Sequence, residues 1–211
     1  MKIESYSGLI TALGDWLNRT DLNDRAETFI QMAEKRLSRD DRVRDLARTP
    51  LEVSGGSAEL PADFLSLETL THTGDETAQI RMGSMMNVRD ERRHRRSGGQ
   101  PRVAAVEGDT LYLGPSADRT YDMELVYWRG FTPLGTGNLS NWLLAEHPDI
   151  YLYSSLVESA PYIREDTRIE VWNMYRETAL EELRLRNESR QFDGPLNRYP
   201  TEAIGERMRN W

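Results

Sequence analysis

The stretch NWLLAEHPDIYLYSSLVESAPY, residues 141–162, is the most apolar and aromatic part of a chain that is otherwise strongly polar. Pro148 suits the first turn of a helix, where a missing N–H leaves no bond unmade. From Ile150 to Leu156 every position is apolar or aromatic except Ser154 and Ser155. A helix that is apolar all round belongs inside a bundle rather than on its edge, and two small serines let neighbouring helices come close. The segment before Pro161 is too short to span a bilayer, which takes about 20 residues. It therefore predicts the central helix of a helical body.

Moving outward, both ends of the chain supply helices to surround it. Tyr6, Leu9, Ile10, Leu13, Trp16 and Leu17 recur at spacings of three and four, giving one apolar stripe after a serine-rich start. NRTDLND, residues 18–24, breaks that pattern. Asp24 and Glu27 then open a second helix whose buried face is Ala26, Phe29, Ile30, Ala33 and Leu37, and the pair is expected to pack antiparallel. On the other side, Thr167 and Glu170 fit a capping box. Trp172, Tyr175, Ala179 and Leu183 mark the buried face of a long helix, Glu182 and Arg186 an exposed i,i+4 pair, and the helix is expected to end near Asn187.

Between these helices the period changes. LEVSGGSAEL (51–60), LSLETLTHTGDETAQIRM (65–82) and RVAAVEGDTLYLGP (102–115) each read as two extended runs joined by a glycine-containing turn, the pattern of a hairpin. TYDMELVYW (120–128) alternates Tyr121, Met123, Leu125 and Tyr127 against Asp122, Glu124, Val126 and Trp128, a strand with one apolar and one mixed face. GSMMNVRDERRHRRSGGQP (83–101) offers a short helix from about Ser84, then a basic run read as a loop closed by glycines. The fold class is α+β, mainly α: a helical bundle with an inserted small antiparallel β lobe and an extended C-terminal tail. Residues 1–42 and 138–188 are expected to form the helical body, 43–131 the inserted lobe, and 189–211 the tail.

Composition excludes several functions. The chain has 211 residues, a net charge of −8 and no cysteine, so there is no disulfide framework, thiol nucleophile or thiolate metal site. An acidic balance argues against a protein whose main task is to grip nucleic acid, which needs a basic surface to release counterions. The N-terminus lacks the basic start, apolar run and small-residue cleavage site of a signal peptide, and membrane and secretion are not expected. Only Lys2 and Lys35 among the 27 basic residues are lysines, and arginine is the side chain suited to forked contacts with carboxylates at interfaces.

Catalytic constellations are absent from the sequence. There is no phosphate-binding glycine loop, nucleotide fingerprint or nucleophile elbow, and no cofactor is expected. His72, His94 and His147 stand far apart and read as surface or capping residues. Asp40–Asp41, Glu165–Asp166 and Glu181–Glu182 are the pairings expected by chance among 35 acids. Arg89, Arg92, Arg93, Arg95 and Arg96 form the one basic cluster, either a solvated loop or a contact for DNA phosphate or an acidic partner. The last stretch, SRQFDGPLNRYPTEAIGERMRNW (189–211), has little periodicity but keeps Phe192, Leu196, Tyr199, Ile204 and Trp211 as spaced anchors, which reads as an arm that docks on a partner.

Four stretches in order, LGDWLNRTDLNDRAETFIQMAEKRLSRD (13–40), LPADFLSLETL (60–70), LYLGPSADRTYDMELVYW (111–128) and NWLLAEHPDIYLYSSLVESAPYIREDTRIEVWNMY (141–175), resemble the head-to-tail adaptor proteins of the tailed-phage neck. The resemblance covers most of the chain up to about Asn187 and leaves the arginine run and the tail outside it. It implies a structural, non-enzymatic protein of the virion neck, assembled in the host cytoplasm. It further implies a dodecameric ring docked on the portal protein, tail or nozzle proteins on its other side, and double-stranded DNA passing through during genome ejection without specific binding. Two readings from other classes stand beside it. One is a DNA-binding regulator using the N-terminal helix pair and the Arg89–Arg96 run; the other is a hydrolase with an unrecognised site.

Overall fold

The computed structural model describes residues 3–19, 22–73, 75–162 and 167–192, with the side chains at 23, 75–78, 191 and 192 left aside. Ser5 starts the first helix by accepting a hydrogen bond from Gly8 N at 3.2 Å, which satisfies one of the free N–H groups of the first turn. Helix α1 (Tyr6–Leu17) ends at Asn18 in the left-handed conformation, φ 51°, a place asparagine tolerates. Helix α2 spans Asn23–Leu37. At the far end of the chain come α4 (Trp142–Glu146), α5 (Pro148–Glu158), a 3₁₀ turn at Ala160–Tyr162 and α6 (Arg168–Phe192), numbered after α3 (Met85–His94) of the β region.

The helices close on one core as expected. It takes Tyr6, Leu9, Leu13 and Leu17 from α1, Phe29, Ile30 and Leu37 from α2, Leu143 and Leu144 from α4, and Trp172, Leu180 and Leu183 from α6. Around α5 the burial is on every side: Ile150, Tyr151, Leu152, Ser154, Ser155 and Leu156 are all buried. Each buried aliphatic side chain of this kind contributes about 1.5–3 kcal/mol, so the helix quoted first holds the body together. Two aromatics read as core are not in it: Trp16 is 42% exposed and Tyr175 44%. Glu182 and Arg186 do not supply the expected pair, because Arg186 reaches across to Glu146. Helix α6 also runs past Asn187 to Phe192. Buried Asn187 donates from Nδ2 to the Arg44 carbonyl at 2.5 Å, and Arg190 pairs with Asp45, so the last turn has partners that sequence periodicity does not reveal.

The region between the helices folds into two sheets. The first has the order β1 (Asp45–Val53), β8 (Tyr121–Arg129), β3 (Phe64–His72), β4 (Asp75–Gln79); the second β2 (Ser57–Glu59), β7 (Thr110–Gly114), β6 (Val103–Glu107), β5 (Arg81–Met82). All pairs are antiparallel except β5 with β6. The hairpins β3–β4 and β6–β7 form as the sequence predicts. The expected hairpin over 51–60 does not: β1 pairs with β8 and β2 with β7. The turn at Gly55, φ +87°, instead carries the chain from one sheet to the other.

Both sheets share a core of Val53, Leu70, Leu111, Leu113, Met123, Leu125 and Tyr127. The alternation in β8 is thus as read: its odd positions from 121 to 127 face this core, while Val126 and Trp128 are buried on the opposite face. In β6, Ala104 joins that core while Val103 and Ala105 pack with Val88 of α3 (Met85–His94), so the strand is covered on both sides.

Candidate interaction surfaces

Most of the arginine run is helix, not loop: Arg89, Arg92 and Arg93 lie on α3, Arg95 is its C-cap and Arg96 falls in the turn beyond. Ser84 and Asn87 form a reciprocal capping box, which starts α3, and the turn after it contains Gly98 at φ +80°. Val88 and Arg92 lie one turn apart on the side facing the second sheet. Arg92 donates from Nε to the Leu113 carbonyl at 2.9 Å and from Nη2 to the Gly56 carbonyl. A Cβ at Gly56 would lie 2.7 Å from that guanidinium, so glycine there permits the close approach. Arg92 therefore ties α3 to β7 and to the turn before β2, and is not offered to a partner. Arg89, Arg93, Arg95 and Arg96 are exposed, with Arg93 3.2 Å from Asp90. The basic cluster divides, and the helical period explains how: 88 and 92 face inward, 89 and 93 outward.

A second surface was not foreseen. Along α6, Val171, Met174, Thr178 and Leu185 lie opposite the buried Trp172, Ala179 and Leu183, and Val171, Met174 and Leu185 are exposed. The exposed ring of Tyr175 lies 5.2 Å from Tyr153, and Tyr153 lies 5.8 Å from Trp16 of α1 in an edge-on contact. The result is an aromatic and aliphatic face running from α6 over α5 to α1. Its signal is present in the sequence, since apolar residues stand on the helix side where a simple amphipathic helix carries charge.

A third feature is the junction between the helices and the first sheet. The buried carboxylate of Asp45 accepts from Arg129 at 2.8 and 3.1 Å and pairs with Arg190. Arg44 lies over the Trp128 ring at 4.5 Å, while the indole donates to Glu68 at 2.8 Å. Arg42 holds Asp40 in a forked contact and reaches Glu177 at 3.0 Å. Those bonds from Arg42 hold the Asp40 carboxyl below its ordinary range.

Asp40, Glu181 and the three histidines have structural partners or capping positions. Asp40 serves Arg42, and Glu181 serves Arg184 at 2.6 Å. His72 is buried, not a surface residue, and its Nε2 lies 3.0 Å from the Pro101 carbonyl. His94 is exposed at the end of α3, with Nδ1 2.7 Å from the Asp90 carbonyl. His147 caps the joint between α4 and α5, and burial followed by the nearby Arg186 lowers its pKa. Among the described residues no cluster of three or more such groups is arranged to hold a metal, and no helix is long and apolar enough to cross a membrane. Glu165 and Asp166 lie outside the described residues, as do Leu196, Tyr199, Ile204 and Trp211; Phe192 is the last residue of α6.

Compared with known proteins, the chain matches the sequence model of the family described as SU10 adaptor protein over residues 5–199. That span takes in all the helices, both sheets and the first residues beyond α6. No curated protein matches it.

Proposed function

The chain belongs to the SU10 adaptor family and is a phage adaptor protein; from that premise we propose that it forms a ring beneath the portal, joining capsid to tail. The observation that carries this reading is the family match across nearly the whole chain. In the proposed role it is a structural component of the virion neck, assembled in the host cytoplasm, with portal protein above it and tail or nozzle proteins below. The dodecameric state follows from the resemblance to head-to-tail adaptors. The net charge of −8 suits a channel for DNA, because an acidic wall gives no counterion release and therefore no grip on the passing duplex.

Within this role the two cores divide the work. The helical body and the inserted β lobe act as separate units joined at Asp45, and residues after Phe192 act as a docking arm for the portal. Leu196, Tyr199, Ile204 and Trp211 are the anchors of that arm, and such residues dominate contacts of this kind. Exposed Arg89, Arg93, Arg95 and Arg96 remain available to acidic surfaces, while Arg92 does not.

The test uses the mass of the purified protein alone and then mixed with portal. A ring on the portal supports the reading; a protein that stays monomeric with and without portal overturns it. A chain ending at Phe192, which keeps the Arg190–Asp45 contact, is expected to fold normally and fail to join heads to tails. Infectious particles from that variant would move the attachment surface to the helical body or the β lobe.

A further inference from the structure

Two exposed faces of this chain are complementary to each other. On α3, Met86, Arg89 and Arg93 recur at i, i+3 and i+7 and so share one side of the helix, with Met86 60% exposed. That face is apolar at one end and basic at the other. On α6, Val171, Met174, Thr178 and Leu185 form an outward ridge, with Met174 55% exposed and the rings of Tyr175, Tyr153 and Trp16 alongside it. Exposed Glu170 and Glu182 border that ridge, with Glu181 beside them paired to Arg184. The bases nearby are already engaged: Arg184 with Glu181 and Glu188, and Arg168 with the Trp16 carbonyl. This face is apolar at its centre and acidic at its rim.

Within one chain the two faces serve different neighbours. The inner side of α3 packs on β6 and β7, and α6 packs on α5 and β1. We propose that the α3 face of one copy packs against the α6–α1 face of a second copy, methionine onto the apolar ridge and Arg89 and Arg93 onto its acidic border. Because the two patches differ, the contact is head-to-tail. A pair joined in this way keeps one free patch of each kind, so the contact propagates and closes as a ring if the rotation permits. An apolar centre with a charged rim is the ordinary anatomy of such an interface. The intramolecular Arg93–Asp90 pair is exposed on both sides, so exchanging it for an intermolecular partner costs little. This inference rests on the ring reading and adds which surfaces make the ring.

The chain has no cysteine, so cross-links report only what is introduced. Met86→Cys and Met174→Cys are made singly and together in the full-length protein, and oxidised alone and on tailless heads. The double variant should give a covalent ladder, a mixture of the two single variants a dimer and nothing larger, and each single variant alone no cross-link. A disulfide dimer from Met174→Cys alone would mean that α6 meets α6, which overturns the proposal. If glutaraldehyde gives a ladder but the double cysteine variant does not, the surface assignment is wrong while the ring survives. If neither reagent gives a ladder with or without heads, the ring reading falls and takes this one with it. As an independent readout, Arg89→Glu with Arg93→Glu should weaken assembly by about tenfold or more, through like charges placed in contact. Adding Glu170→Arg and Glu182→Arg should restore it. Loss without restoration in a folded protein would assign the α3 face to another partner and overturn the proposal.

Discussion

The helical body and the β lobe build their cores differently. The body takes charge inside, with Glu34 and Glu158 buried, and leaves Trp16, Met174, Tyr175 and Leu185 outside. The core shared by the two sheets is made of apolar side chains and Tyr127, and the phenol of Tyr127 reaches Asp63 at 3.0 Å. Burial, with Asp63 second, pushes that phenol up to about 12. A carboxylate kept inside costs stability unless it is bonded, and an apolar face kept outside costs solubility. The lobe meets both costs too, but outside the core that its sheets share, where Asp45 and His72 are buried and Leu65, Met82 and Met86 exposed; the difference lies in the cores themselves.

The largest expected effects test whether the two cores are separate. Trp172→Ala removes a buried indole from the helical core and should lower stability by about 3–5 kcal/mol; Leu125→Ala, in the core of the sheets, should cost about 2–5 kcal/mol. Hydrogen exchange measured on both variants should show each change loosening mainly its own region. If Trp172→Ala loosens the strands as much as the helices, the two regions unfold as one unit and the division fails.

The next prediction concerns the joint between them. Asp45→Ala leaves Arg129 and Arg190 without their shared carboxylate. Removing one member of a fully buried pair costs about 3–5 kcal/mol, but both arginines are partly exposed, so water recovers part of this. A loss of about 1–3 kcal/mol is expected, with faster exchange in the last turn of α6. An unchanged last turn would show that Asn187 alone holds it.

Much of this architecture was legible in the sequence, and what was not has a physical pattern. The alternation from Tyr121 to Trp128 points to the central strand by its period, and the all-round apolar run from Ile150 to Leu156 to the central helix by its Pro148 start and its lack of a polar face. Strand pairing was read less well. Two runs joined by Gly55–Gly56 look like a hairpin, yet here the turn switches sheets, and nothing local to residues 51–60 records that β8 and β7 are the partners. The helix start at Ser84 is legible in the sequence, but its extent is not, because the charge of the arginine run hides the helical period carried by Val88 and Arg92. Spacing places Tyr175 and Trp16 on buried stripes, but both are more than two-fifths exposed, because spacing within one helix does not record how far its neighbours reach over that stripe.

A smaller effect separates the two halves of the arginine cluster. Arg92→Ala removes the bonds to the Leu113 and Gly56 carbonyls and should cost about 1–3 kcal/mol, the range for charged hydrogen bonds. Arg93→Ala, one position along and exposed, should stay within about 0.5 kcal/mol. Chemical denaturation of the two variants decides it, and equal losses would mean that the inward and outward sides of α3 are misassigned.

The subtlest prediction isolates the charge inside the body. Glu34 Oε1 accepts from Leu134 N at 2.7 Å and from the Tyr151 hydroxyl at 3.0 Å, and both bonds favour the ionised carboxylate. Burial opposes them and is the larger cause, so the pKa of Glu34 is raised above its ordinary 4.5. The folded chain then holds this proton in a range of pH where the unfolded chain has lost it. Stability from Glu34 is complete below 4.5 and declines as pH rises through the folded value. Asp40, Glu146 and Glu177 are shifted the other way by their arginines, so their contributions are lost as pH falls, and the parent protein superimposes the two trends. Glu34→Gln keeps the shape and a carbonyl able to accept both bonds, but does not titrate. Its stability should match the parent within about 1 kcal/mol well below pH 4.5, and the difference should grow in the variant's favour toward neutral pH. A difference that stays flat with pH would show that the bonds from Leu134 and Tyr151 fully offset burial, and one that grows in the parent's favour that they outweigh it; in either case the helical body carries a true anion at its centre.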